Sequence, residues 1–327
     1  MAILRAITLV LSSTAALVAS AYPPPEACTG NCIGIDPAAI RRDDGTYFRF
    51  NTFGKIRIYK APSFTGPWTL EGPAIPDGSI IDIPGRNSLW APEVQKVGNQ
   101  YIMYYSVSEG GKRLSAIGYA TSPNMEAGTW TDHGSTGIST TENSDRNAID
   151  PALIKDPATG KYYMSFGSYW SGIWVVPMND AATQVAKDAK YTNIGRQPNS
   201  DHAWEGSNII FHGGNYYLFL SAGKSGGFDE NNLPPPGGEY KVKVCRSKAI
   251  TGPYVGPAGK SCMEGNGLVL LGSHDNVYAP GGQGIFDDPD LGTVMYYHYA
   301  NRSVSYKKDD FQFGWNSLKW VDGWPTF

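Results

Sequence analysis

Long apolar runs are almost absent from this 327-residue chain. The one exception, Ala6 to Leu17, lies behind Arg5 and ahead of Ala19-Ser20-Ala21. That order matches a secretory leader, so a signal peptide is expected over 1–21, with the mature chain starting near Tyr22. A short membrane anchor is the competing reading, but the run is too short to span a bilayer. Excess positive charge is also missing. Lys and Arg number 27 against 30 Asp and Glu, which leaves a net charge of −3. That balance argues against nucleic acid or an anionic membrane as a partner and suits a neutral one. Cysteine is scarce, with only Cys28, Cys32, Cys245 and Cys262. An even count behind a leader suggests disulfides, and three pairings are possible. The local pairs Cys28–Cys32 and Cys245–Cys262 are favoured, and metal binding does not suit these spacings. Helical periodicity is scarce too. One candidate helix, around Asp180 to Lys190, is expected at the periphery.

What the chain does have is punctuation and aromatic residues. It holds 39 Gly, 23 Pro and 13% aromatic residues. These favour many short strands joined by tight turns. Tyr101–Ser106 and Tyr216–Ser221 are the clearest strands, nearly continuous in apolar character, as strands buried on both faces should be. No linker divides the chain, so 22–327 is expected to form one domain.

A repeat organises these strands. Ile35-Asp36-Pro37-Ala38 returns as Ile149-Asp150-Pro151-Ala152, and each copy leads through a turn into an aromatic strand. The aromatic starts Tyr47, Tyr101, Tyr162, Tyr216 and Tyr296 serve as a ruler. Counting back from them places Asp36, Trp90, Asp150 and Glu205 at matching positions, with one inserted residue allowed for Asp150. The fifth unit, around Tyr278-Ala279-Pro280, carries no acid. Five units of roughly fifty to seventy residues, each of several strands, predict an all-β, five-bladed β-propeller. The first strand of each blade lines the axial channel, so these four residues would converge at one mouth.

Converging carboxyls are the usual equipment for cleaving a glycosidic bond. A lone Asp-Pro is most often a turn, but two copies in register with a glutamate in a third unit favour chemistry. Glu205 follows Trp204 and precedes an apolar strand, an environment that raises a carboxyl pKa and suits a general acid. Glu93 is out of this register and is expected to be structural. Trp90 would either pack between blades or stack on a sugar ring, and Trp170 is a weaker candidate of the same kind. His274 precedes the fifth inner strand, and a lone histidine is more often a hydrogen-bonder than a metal ligand. Asn301-Arg302-Ser303 is a sequon for N-glycosylation.

These residues resemble glycoside hydrolase family 43, and within it the secreted fungal endo-1,5-α-L-arabinanases. The resemblance runs from about Tyr22 to the C-terminus. It rests on Cys28-Thr29-Gly30-Asn31-Cys32, Asp36-Pro37, Leu89-Trp90-Ala91-Pro92-Glu93, Asn147-Ala148-Ile149-Asp150-Pro151, Gly167-Ser168-Tyr169-Trp170-Ser171-Gly172 and Glu205-Gly206. It implies a five-bladed propeller that inverts anomeric configuration. Asp36 would be the general base, Glu205 the general acid, and Asp150 the residue that orients the acid and tunes its pKa. It further implies Asn147, Ser168, Trp90 and Trp170 as substrate-facing, and an axial calcium ion with His274 as its protein ligand. The expected partner is linear arabinan or its oligosaccharides, cut by a secreted monomer. Exo-acting arabinanases, arabinofuranosidases and β-xylosidases of the same family are alternatives. So is a propeller lectin that binds sugar without cutting it. A lectin should repeat one polar site per blade, whereas here the acids differ between units.

Overall fold

The computed structural model describes residues 22–199 and 202–327, so the expected signal peptide lies outside the described residues. Short apolar strands between Gly, Asn and Asp turns give 21 strands and no α-helix among the described residues. Four antiparallel four-stranded sheets follow in chain order. Blade I holds β1 (Ala38–Arg41), β2 (Tyr47–Asn51), β3 (Arg57–Ala61) and β4 (Thr69–Pro73). Blade II holds β5 (Trp90–Val97), β6 (Gln100–Val107), β7 (Ser115–Ser122) and β8 (Thr131–Thr140). Blade III holds β9 (Ala152–Lys155), β10 (Tyr162–Phe166), β11 (Ile173–Pro177) and β12 (Thr192–Gly195). Blade IV holds β13 (Trp204–His212), β14 (Asn215–Ala222), β15 (Lys241–Ser247) and β16 (Leu268–Leu271). Blade V has three strands, β17 (Val277–Asp288), β18 (Gly292–Asn301) and β19 (Gln312–Ser317). A hairpin, β20 (Lys319–Val321) and β21 (Trp324–Thr326), ends the chain.

The N-terminal segment completes blade V. Phe313 N–H donates to Cys32 O at 2.7 Å, Gly34 N–H to Phe311 O at 2.9 Å, and Glu26 N–H to Trp315 O at 2.9 Å. The outer edge of β19 is thereby covered, and the two ends of the chain close the ring together. A blade cannot bury both of its faces alone, so the hydrophobic effect drives neighbours together. Among the apolar clusters that result, five join adjacent blades, one for each pair. Phe48 and Phe50 meet Met103 and Tyr105 between I and II, and Tyr104 meets Met164 and Phe166 between II and III. Trp204 and Leu218 meet Ile173 and Val175 between III and IV. Tyr217 and Phe219 meet Met295 and Tyr297 between IV and V. Trp68 and Tyr59 meet Phe313 and Trp315 between V and I. Buried Arg49 cements this last interface. Its guanidinium lies about 4.5–4.9 Å from the rings of Tyr59, Trp68 and Phe313 and donates to Asn31 O at 2.7 Å.

Both favoured disulfides are present, Cys28–Cys32 and Cys245–Cys262. The helix expected around Asp180–Lys190 is a correction. That segment is a run of turns, because the Asn179 side chain captures the N–H groups of Thr183 and Gln184, and Ala182 and Asp188 are left-handed. Side-chain capture of this kind competes with helix formation.

Candidate active site

Each inner strand is entered through one left-handed residue. These are Asp36 (φ 44°), Ala91 (44°), Asp150 (58°), Gly206 (57°) and Ala279 (53°). Strand register fixes the equivalence. Trp90 pairs with Ser106, Glu205 with Ser221 and Tyr278 with Ala300, in each case one residue before the left-handed position. The sequence ruler is therefore corrected by one position. Asp36 and Asp150 are equivalent, but Glu205 and Trp90 occupy the place of Ile35 and Ile149. Blades II and IV have one residue fewer than blade I between the left-handed position and the aromatic start, and a fixed count hides this offset.

The left-handed turn points its amide at the neighbouring blade, which must satisfy it because an unpaired buried N–H is costly. Asp36 N–H donates to His298 Nδ1 of blade V at 3.0 Å, closing the ring. Ala91 N–H donates to Thr52 Oγ1 at 2.7 Å, and Asp150 N–H to Ser106 Oγ at 2.9 Å. Gly206 N–H donates to Asp150 Oδ2 at 3.0 Å. Blade V delays the contact to its second left-handed residue, Gly282 (φ 57°), whose N–H donates to Ser221 Oγ at 2.9 Å.

A cleft of about 750 Å³ opens over this ring. Asp36, Trp90, Asn147, Asp150, Ser168, Trp170 and Glu205 all line it. Their contacts add to the sequence reading. The Ser168 hydroxyl donates to Glu205 Oε2 at 2.6 Å, which places it on an acid. Asn147 is buried and accepts from Ser115 Oγ at 2.6 Å. The Arg113 guanidinium lies 5.7 Å from the Trp170 ring. Asn301 sits at the end of β18, its Oδ1 accepting from Ser303 N–H and hydroxyl.

The carboxyls perturb one another. Protein surrounds Asp150 and Glu205, and that enclosure is the first cause pushing both pKa values up. The negative charges of Glu205 and Asp36 raise Asp150 further, and Asp36 also raises Glu205. The hydroxyls of Ser168 and Tyr240 act the other way on Glu205, as does the Gly206 amide on Asp150. Two such neighbours share protonation rather than both ionising near neutral pH.

His274 is not among the cleft-lining residues. Its ring nitrogens lie 3.0 Å from the carbonyl oxygens of Gly272 and Pro23, so it ties the N-terminal segment to blade V. Two histidines reach the cleft, His202 and His298, and His298 sits in the run Met295–Ala300 of β18. Burial lowers its pKa to about 4, so it is neutral. With Nδ1 accepting the Asp36 amide, its proton sits on Nε2, which then offers no lone pair to a cation. Among the described residues no group of three or more His, Cys, Asp or Glu could hold a metal ion. The expected ligand His274 is thus away from the cleft with both ring nitrogens engaged, while His298 Nε2 is buried without a hydrogen-bond partner; no chemical step is routed through a metal ion.

Several lining residues went unread in the sequence, namely Thr52, Tyr169, Tyr240, Gln283, His298 and Lys308. For His298 a signal existed: it is the single titratable imidazole inside a buried aromatic strand. Tyr240 follows a long loop and carried no signal. Glu93 also lines the cleft. It lies three residues beyond Trp90, as Asn208 lies beyond Glu205, and burial pushes its pKa up to about 7.

A five-bladed propeller with three carboxyls at its axial mouth defines a class, the carboxyl-dependent hydrolases of glycosidic bonds. Within that class the chain belongs to glycosyl hydrolases family 43, whose model matches residues 31–325. The arabinan endo-1,5-alpha-L-arabinosidase A of Aspergillus niger is 49% identical over 306 residues, which is 93% of this chain and 94% of that protein. The endo-arabinanase of Bacillus licheniformis superposes with a TM-score of 0.79 at 29% identity, covering 92% of this chain and 99% of that one. The alpha-L-arabinanase of Cellvibrio cellulosa, solved in complex with arabinohexaose, has a TM-score of 0.78 at 26% identity, covering 91% and 96%.

Proposed function

We propose that this protein hydrolyses α-1,5-linked L-arabinan internally, with inversion of anomeric configuration. Asp36 acts as general base and Glu205 as general acid. The observation that carries this reading is the convergence of Asp36, Asp150 and Glu205 from three blades onto one cleft, with enclosure holding Glu205 towards its protonated form. The A. niger and B. licheniformis relatives support the substrate and the endo mode.

An inverting enzyme places a water between its base and the anomeric carbon, with the two carboxyls roughly 6.5–9.5 Å apart. Asp36 removes a proton from that water as its oxygen bonds to the anomeric carbon. The bond to the leaving oxygen breaks, and Glu205 gives that oxygen its proton. Asp36 then carries a proton and Glu205 a charge, and exchange with solvent in the open cleft restores both. Asp150 takes no proton in the reaction. It holds the Gly206 amide, which fixes the backbone beside Glu205, and the two carboxyls share protonation rather than both ionising. Trp90 and Trp170 offer flat apolar faces to the sugar rings, and Asn147 and Ser168 supply polar groups to the cleft wall.

The two disulfides and the leader support an extracellular site of action. Among the described residues no helix is long and apolar enough to cross a membrane.

The test is Glu205→Gln with linear arabinan. General acid catalysis contributes about 10²–10⁴-fold, and turnover should fall by that factor. Early products from the wild type, followed by NMR, should show the anomer opposite to the substrate linkage. Retention would remove the inverting assignment, and no release of reducing ends at all would favour a lectin.

A further inference from the structure

Thr52 is distinct among the hydroxyls that latch one blade to the next. Ser221 accepts the Gly282 amide and passes its own proton to Gln283 Oε1 at 2.7 Å, an uncharged group. Ser106 accepts the Asp150 amide. Thr52 accepts the Ala91 amide at 2.7 Å and lies 2.8 Å from Asp36 Oδ2. A hydroxyl has one proton to give. The Ala91 N–H can only donate, so it occupies a lone pair of Oγ1 and turns the hydroxyl proton away from itself. The acceptor at hydrogen-bond distance in that direction is the Asp36 carboxylate.

From this we infer that Thr52 is a positioning residue for the reaction: its hydroxyl, oriented by the Ala91 amide, holds the Asp36 carboxylate aimed at the attacking water. The inference rests on the assignment of Asp36 as base. Backbone and side chain of Asp36 are then clamped from opposite directions. Blade V holds its amide through His298, and the junction of blades I and II holds its Oδ2 through Thr52. Thr52 is itself fixed, its N–H donating to Ile35 O at 2.9 Å. Oδ1 faces His298 Nδ1 at 3.4 Å, a contact that supplies no proton because Nδ1 is already the acceptor for the Asp36 amide.

Removing the Thr52 hydroxyl should leave Asp36 Oδ2 free to turn away from the attacking water, which lowers kcat while substrate binding is kept. The other groups bearing on Asp36 stay in place in that variant. They are His298 on β18, Asp150 and Glu205 at the mouths of blades III and IV, Tyr240 before β15, and Lys308 beside the cleft.

The experiment compares Thr52→Val, Thr52→Ala and Thr52→Ser with Asp36→Asn on linear arabinan. Valine keeps the branched shape and removes the hydroxyl, alanine removes it with no packing demand, and serine retains it. Thr52→Val is expected to lose about 10–100-fold in kcat, as a misplaced reacting group does, with KM within about threefold. Thr52→Ser should recover most of the loss. If valine unfolds the blade, the alanine variant carries the same readout. A loss confined to KM, or equal losses in the serine and alanine variants, would overturn the inference. Wild-type-like turnover in Asp36→Asn would instead remove the base assignment beneath it.

Discussion

The entrances to blades I and III begin with the same four residues, Ile-Asp-Pro-Ala, yet their aspartates end in different situations. In blade I the strand after the turn runs out at Thr52, whose N–H returns to Ile35 O. In blade III the equivalent residue is Gly167, whose N–H returns to Ile149 O. Thr52 has a hydroxyl that receives the amide of the next blade, so Asp36 is left to point at the cleft. Gly167 has none, and the Asp150 carboxylate receives the amide of Gly206 instead. One aspartate is spared for proton transfer and the other is committed to holding the acid's backbone. A residue at the far end of the hairpin, outside the repeated phrase, decides which.

Substituting the two aspartates should test that contrast most strongly. Asp36→Asn removes the base and should cost about 10²–10⁴-fold in turnover. Asp150→Asn keeps a carbonyl oxygen for the Gly206 amide and should cost less. Loss of its charge should let Glu205 ionise at lower pH, so the basic limb of the rate profile should move down. Equal losses with unmoved limbs would erase the distinction between the two turns.

A second contrast lies one layer deeper. Three residues beyond Ile35 and Ile149 stand Ala38 and Ala152, but the same step from Trp90 reaches the carboxyl of Glu93. With its pKa raised to about 7, Glu93 contributes stability that is fully present below the ordinary value of 4.5 and is lost as pH rises through 7. Glu93→Gln should thus gain on the wild type with pH, by up to about 3 kcal/mol at pH 8. Thermal melts of both proteins between pH 5 and 8 measure this, and parallel curves would show that Glu93 is not held neutral.

The smallest expected effect probes why blade III lacks a hydroxyl. Gly167 has φ 119°, and a Cβ there would lie 2.3 Å from Gly172 O. Gly167→Ala should destabilise the fold by on the order of 1–3 kcal/mol, read as a lowered Tm. A neutral result would mean that the backbone can carry a side chain there, and that Asp150 need not have replaced a serine.

Much of this was legible in the chain itself. The five aromatic strand starts, the doubled phrase and the turn residues are local patterns, and they specify blade number, strand type and which strands face the axis. The resemblance to family 43 added roles for Asp36, Asp150 and Glu205. Other features were not legible, and they have one thing in common. His298 and Asp36 are 262 positions apart, and Tyr240 and Lys308 reach the cleft from loops with no repeat behind them. His274 looked equivalent to a site histidine because it precedes an inner strand, but the returning N-terminus supplies Pro23 O to its ring.

The amino-acid order by itself determined an all-β ring of five units with acids near one mouth, since period, turn chemistry and apolar runs act over a few residues. Tertiary structure alone decided that His298 and not His274 enters the cleft. It also decided that Glu205 stands one place before the aspartates, and which aspartate is free. The physical reason is closure. The entrance amides of blades I to IV, and that of Gly282 in blade V, find their acceptors on a neighbouring blade, and the side chain that meets each is set by how the blades pack, not by the residues beside it in the chain.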